Sequence, residues 1–156
     1  MNVERIDGGF SDYEALLALI LRSFASMNGR IDPPSSAYLL TAASLRDKAA
    51  SEIAYIATDG GQLRGCVFLK PEPPGCLYIS KLAVEPDAQG RGVGRALLAA
   101  ASAAAADLGL PQLRLQTRIE LIENHAVFSR WGFRKTAENA HPGFNRTTSI
   151  EMRKTL

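Results

Sequence analysis

A β-favouring run, Leu77 to Val84, is stopped by Glu85-Pro86 and followed by Gly90, Gly92 and Gly94 and then by a helical pattern. This order constrains the chain more than any other stretch. The run is apolar and of strand length. Pro86 has no amide to give a sheet ladder, so the strand ends there. Beyond the glycines, Leu97, Ala101, Ala104 and Leu108 recur at helical spacing. Gly109, with Pro111 just beyond, marks the helix end. The spacing predicts a strand, a glycine loop, and a helix whose first turn meets that loop.

Such a junction suits an anion. Glycines let backbone approach a ligand closely. The first helical amides lack intrahelical partners and sit at the positive end of the helix dipole. A phosphate or pyrophosphate satisfies both, and Arg91 and Arg95 add charge at the rim. The plainer alternative is a surface turn with two solvated arginines. Two phosphate motifs are excluded. No Gly-Lys-Ser/Thr follows, as a P-loop requires. The dinucleotide fingerprint needs a third glycine where Arg95 or Leu97 stands.

The chain of 156 residues is long enough for one domain with a sizeable core. Its hydrophobic content of 46% and charged content of 22% are ordinary for a globular protein. The net charge of +2, without a lysine or arginine run, does not argue for nucleic acid. Met1 to Arg5 has no signal-peptide core, and the longest apolar helix is interrupted by Ser102 and Asp107. The expectation is a cytoplasmic protein that does not enter a membrane. Cys66 and Cys76 flank a proline loop. A hairpin centred near Pro73 sets Cys76 against Lys70 and Cys66 against Ser80, so no disulfide is expected. Either cysteine could be a nucleophile, but their apolar strand neighbours favour buried, inert thiols. The two histidines, His125 and His141, lie apart, and no metal site is expected.

Read in order, residues 2–6 form a short strand. Ser11 and Glu14 fit a capping box for a helix carrying Leu16, Leu17, Ile20 and Phe24 on one face. Residues 29–36 read as a loop and Ala37 to Ala50 as holding a second helix. Asp59-Gly60-Gly61 joins two strands, Glu52 to Thr58 and Leu63 to Leu69. After the long helix, Gln112 to Thr117 is a strand, Asn124 to Trp131 a helix, and Phe133 to Ala137 and Thr148 to Arg153 the last strands. The fold class is therefore a mixed α/β domain, residues 1–156, around one sheet flanked by helices.

The spacing Gln89-x-x-Gly92-x-Gly94, after Leu82-Ala83-Val84-x-Pro86, closely resembles the acetyl-CoA pyrophosphate loop of the GNAT superfamily of N-acyltransferases. Glu123-Asn124-His125-Ala126-Val127-Phe128-Ser129-Arg130-Trp131-Gly132-Phe133 is similar to a second signature of that family. The order of elements matches along nearly the full chain. The resemblance implies a mostly antiparallel mixed sheet whose central strand splays from the Gln112–Thr117 strand to form an acetyl-CoA cleft. It implies that Gln89, Gly90, Arg91, Gly92, Val93, Gly94, Arg95 and Ala96 hold the pyrophosphate. Backbone groups of Leu82, Ala83 and Val84 would pair with the pantetheine arm, Asn124 would hydrogen-bond it, and Phe128 would lie beside the thioester. Many members carry tyrosine where this chain has Phe128; phenylalanine has no hydroxyl to protonate a leaving thiolate.

The activity implied is transfer of an acetyl group from acetyl-CoA to a primary amine, by direct attack in a ternary complex. Ordinary amines are protonated at neutral pH, so a base is required. Tyr78, Glu85, Glu123, His125 and His141 are the candidates. Strand alternation sets Tyr78 and Ser80 on the face of Leu82 and Val84. Arg30, Asp32 and Tyr38 are candidates for the substrate. The acceptor implied is a small-molecule or peptide amine. A homodimer fits the family's habit. A non-catalytic acyl-CoA sensor on the same scaffold is the alternative, kept open by Phe128.

Overall fold

The computed structural model describes residues 1–156. Seven strands form one sheet in the order β1-β2-β3-β4-β5-β7-β6. They are β1 (Asn2–Arg5), β2 (Ile53–Asp59), β3 (Gln62–Glu72), β4 (Cys76–Val84), β5 (Gln112–Arg118), β6 (Arg134–Asn139) and β7 (Ser149–Thr155). The helices are α1 (Tyr13–Phe24), α2 (Ala42–Ser51), α3 (Val93–Asp107) and α4 (Ile122–Arg130). Every neighbouring pair runs antiparallel except β4 and β5, which are parallel.

That parallel pair decides the shape of the molecule. β4 and β5 match only at Cys76↔Gln112, Leu77↔Leu113 and Tyr78↔Arg114. Both strands continue, β4 against β3 and β5 against β7, but no longer against each other. The sheet forks beyond Tyr78. Within the fork β4 carries a bulge: Phe68 pairs with Ser80, whereas Cys66 pairs with Ala83. Lys81 sits at the irregularity with a φ of 51°, the one non-glycine residue of the chain with positive φ. An inserted residue of this kind bends a strand and re-aims its side chains.

The two faces of the sheet carry separate cores. Leu77, Ile79, Val67 and Leu69 pack with Val93, Leu97 and Ala101 of α3. Cys66, Phe68 and Ala83 pack with Leu16, Leu19 and Ile20 of α1 and Leu45 of α2. Leu16, Leu19 and Ile20 are fully buried, each contributing about 1.5–3 kcal/mol of apolar transfer free energy. At Gly65 on β3 a Cβ would stand 2.9 Å from Ala83 O, Leu97 Cδ1 and Val93 Cγ1, so glycine is what brings the start of α3 down onto the sheet.

Several boundaries differ from expectation. Asp12, not Ser11, caps α1, its carboxylate accepting the Ala15 amide at 3.1 Å. Both residues are good caps, and their order alone does not choose between them. The second helix is split: a 3₁₀ turn spans Ser36–Leu39, and α2 starts only after Thr41, which forms a capping box with Ser44. The β3–β4 hairpin is tighter than the proline count suggested. Cys76 pairs with Glu72 and Cys66 with Ala83, and both thiols are free and buried. Burial pushes the Cys66 thiol up to about 12.

Candidate functional site

The glycine loop leaves its amides open. Gly90 and Gly92 have φ of 78° and 83°, and nothing lies within 4 Å of a Cβ built on either, so conformation rather than space requires glycine there. Gly92 is the N-cap of α3 and offers no side-chain cap. The first amide of the helix to find a backbone acceptor is that of Ala96, bonded to Gly92 O at 3.0 Å. The amides of Arg91, Gly92, Val93, Gly94 and Arg95 bond to no protein group. These converging donors, the dipole of a 15-residue helix and the exposed Arg91 and Arg95 make a cradle that fits a phosphate group. Gly94 has a different reason: its Cβ would meet Trp131 Cη2 at 3.2 Å.

A cavity of about 520 Å³ runs from this loop between Val84 and Leu82 of β4 on one side and Asn124 and Phe128 of α4, with Trp131 just beyond it, on the other. A second, of about 210 Å³, fills the fork between β4 and β5. The two share Phe24, Met27, Leu82, Leu121, Asn124 and Phe128, so they adjoin on the way from the loop to the fork. Glu85 N–H turns back to Arg64 O on β3 at 2.8 Å. The Val84 amide and carbonyl face the opposite way. The amide donates to Ser23 Oγ at 3.2 Å, and the carbonyl accepts from Gln89 Nε2 at 3.4 Å. The open edge of β4 is thus presented to the cavity, where an extended ligand arm can pair with it. Asn124 lines both cavities. Phe128 is fixed edge-on against Trp131 and Phe133, with ring centroids 5.9 and 5.8 Å away.

The remaining candidates separate. Tyr78 and Ser80 line the fork cavity. They do not share a face with Leu82 and Val84, as strand alternation predicted. The bulge at Lys81 inverts the pattern, so Ser80 and Ala83 lie over the α1 side while Leu82 and Val84 pack with the α3 side. Burial pushes the Tyr78 phenol up, and the Arg114 guanidinium lies 4.2 Å from its ring centroid. Glu85 is held by Arg22 through bonds of 2.7 and 2.8 Å, which keep its carboxyl below the usual range, and it lines neither cavity. Glu123 pairs with Arg30 beside the larger cavity, not the fork. His125 Nε2 lies 2.8 Å from Arg118 O. His141, on the β6–β7 loop, contacts Thr148 through Nδ1, and burial together with Arg118 holds its ring below the usual imidazole range. Asp32 pairs with Arg146 at 3.2 Å and Tyr38 bonds Asn28, both outside the two cavities.

Three residues of these cavities escaped sequence reasoning. Ser23 reaches Val84 across the fold from α1. Lys81 lines the fork and donates to Ser36 Oγ at 2.9 Å. Arg118 also lines it and donates to the carbonyls of Pro33 and Pro34 at 2.6 and 3.1 Å, pinning the irregular loop over the fork. None lies in either motif. The bulge carries no glycine that would betray it.

Comparison with known proteins agrees with this geometry. The model of the acetyltransferase (GNAT) family matches residues 15–133. An aminoglycoside N(6')-acetyltransferase type 1 of Stenotrophomonas maltophilia is 45% identical over 53 residues, 34% of this chain and 35% of that protein. A mycothiol acetyltransferase of Geodermatophilus obscurus is 34% identical over 91 residues, 53% of this chain and 29% of that protein. The chain therefore spans about a third of the length of these curated relatives. The PaiA N-acetyltransferase of Thermoplasma acidophilum, solved in complex with coenzyme A, superposes over 100% of both chains with a TM-score of 0.78 at 17% identity. The family match covers most of the chain, and the fork, the loop and the sheet order accord with it: this chain belongs to the GNAT acetyltransferase family.

Proposed function

We propose that the protein transfers the acetyl group of acetyl-CoA to the nitrogen of a primary amine. The observation that carries this reading is the pair of adjoining cavities that leads from the open amides at the start of α3 to the fork between β4 and β5. The loop amides of Arg91 to Arg95 would hold the pyrophosphate. Val84 and Asn124 would hold the pantetheine arm, with Ser23 and Gln89 yielding the edge of β4 to it. The coenzyme A carried by the Thermoplasma protein of the same fold supports this choice of ligand. Acetyl-CoA supplies a thioester whose carbonyl carbon bonds to a neutral amine as the carbon–sulfur bond breaks and the amine proton leaves.

The chain's own groups would do the rest. An amide of β4 near Leu82 would meet the oxyanion. Tyr78 is the titratable candidate that lines the fork, and its raised pKa keeps the phenol protonated, suited to giving a proton rather than taking one. Glu85, tied to Arg22, is not assigned the role of base. Phe128 would pack beside the thioester without proton chemistry. A non-catalytic acyl-CoA sensor is the second reading, favoured by that missing hydroxyl.

Thiol release from acetyl-CoA across a broad panel of amines tests the proposal. Release with at least one amine, absent in Gly92→Glu, is expected. Acetyl-CoA binding without release on any amine would favour the sensor.

A further inference from the structure

The fork cavity has an unusual charge pattern. Its lining holds two ionic groups, Lys81 and Arg118, both cations, and no carboxylate. Neither makes a salt bridge. The Lys81 ammonium donates to a hydroxyl, Ser36 Oγ, and the Arg118 guanidinium to two peptide carbonyls. The nearest acids are engaged elsewhere: Glu52 by Lys48 at 3.0 Å, and Asp32 by Arg146 at 3.2 Å. The third, Glu120, accepts the Asp32 amide at 3.2 Å and lies 3.9 Å from Arg146, while its Oε1 is buried without a hydrogen-bond partner. Burial lowers the pKa of both cations; repulsion from Lys48 and Arg118 adds to this at Lys81, while Glu52 opposes it at Lys81 and Glu120 and Asp32 oppose it at Arg118. Lys81 is placed by a left-handed backbone conformation that side-chain-bearing residues seldom adopt. Half-buried cations with no carboxylate in salt-bridge contact carry a desolvation cost in the empty protein that an arriving anion offsets.

We propose that the acceptor carries an anionic group, a carboxylate or a phosphate, beside its amine, and that Lys81 and Arg118 receive that anion in the fork. This rests on the acetyl-transfer reading above and names its substrate class. A polycation such as an aminoglycoside or a polyamine would bring like charge into this cavity. The amine of an amino-acid-like or phosphorylated acceptor would instead be turned from the anion site toward Leu82 and Phe128, where the two cavities adjoin.

The experiment compares acceptor pairs with and without the anion, each rate referred to the neutral-amine fraction: L-methionine with L-methioninamide, and phosphoethanolamine with ethanolamine. Spermidine and kanamycin serve as polycations. Thiol release gives kcat/KM for each on wild type, Lys81→Met and Lys81→Arg. Methionine keeps an unbranched side chain one atom shorter than that of lysine, and it bears a Cβ as lysine does, so the backbone strain is unchanged. The anionic member of at least one pair is expected to win on wild type. Lys81→Met should cut that preference at least tenfold, Lys81→Arg should retain it, and acetyl-CoA affinity should be the same in all three. If wild type binds acetyl-CoA but turns over none of these amines, calorimetry of the same pairs on the CoA-loaded protein reads the preference instead. Equal handling of both members, preference for the polycations, or a preference that Lys81→Met leaves untouched overturns the proposal. Failure to bind acetyl-CoA breaks the reading beneath it; turnover blind to acceptor charge breaks this inference alone.

Discussion

Tyr78 of β4 and Arg114 of β5 are the last residues at which the two strands pair, and the Arg114 guanidinium lies over the Tyr78 ring at 4.2 Å. Arg114 also binds Glu72 through bonds of 2.8 and 2.9 Å and Glu151 at 3.1 Å, tying β3, β5 and β7 together where the sheet divides. The fork thus opens from a clamped end.

Arg114→Met should loosen that clamp. It leaves Glu72 and Glu151 without the charge that neutralises them. Glu72 is 35% exposed, so solvent softens the loss. A destabilisation of about 2 kcal/mol is expected from the lost charged hydrogen bonds, measurable by urea titration.

The same carboxylates set a pH dependence. Arg114 holds Glu72 below the usual range, Arg22 does so for Glu85, and Arg153, Thr136 and Arg114 outweigh burial to do so for Glu151. A carboxyl with a depressed folded pKa binds fewer protons folded than unfolded. Its stabilisation is complete above the ordinary carboxylate pKa of about 4.3 and is lost as pH falls through the folded value. Stability should therefore begin to fall as pH drops through the ordinary imidazole value of about 6.5, because the fold depresses the pKa of His141, and fall more steeply below about pH 5 as these carboxylates protonate. Glu72→Gln, measured alongside, should show a shallower decline.

Gly65→Ala tests how closely α3 must approach the sheet. The added methyl meets Ala83 O, a backbone atom that cannot rotate away, as well as two core side chains. A loss of about 1–3 kcal/mol is expected. Thermal unfolding that matches wild type would contradict the close packing.

Phe128→Tyr adds a hydroxyl at the wall shared by both cavities. The ring stays edge-on to Trp131 and Phe133. Acetyl-CoA affinity should stay within about fivefold of wild type, roughly 1 kcal/mol, and turnover should be equal or higher. A large loss of affinity would place the thioester elsewhere.

Much of the fold was legible in the chain itself. The Leu77–Val84 run, the glycine loop and the α3 pattern all appear where expected. Their signals are local: strand propensity, proline stops and helical periodicity. The Lys81 bulge was not legible. Alternation assumes an unbroken ladder, and Ser80-Lys81-Leu82 holds no glycine to mark the break. Ser23 with Val84, Arg22 with Glu85 and Arg118 with Pro33 join residues far apart in sequence, and no periodicity reveals such pairs. The candidate base Glu85 carried the right chemistry, but its engagement by Arg22 is a tertiary fact.

The central claim is that the amides at the start of α3 hold the pyrophosphate of acetyl-CoA. Calorimetric titration of acetyl-CoA into wild type and Gly92→Glu tests it most directly. Gly92 has φ of 83°, so any side chain adds strain of roughly 1–2 kcal/mol, and a carboxylate there repels the phosphates. Saturable binding by wild type, weakened about a hundredfold or more in the variant (roughly 2.8 kcal/mol), is the predicted result. Equal affinity in a variant that still folds would contradict it.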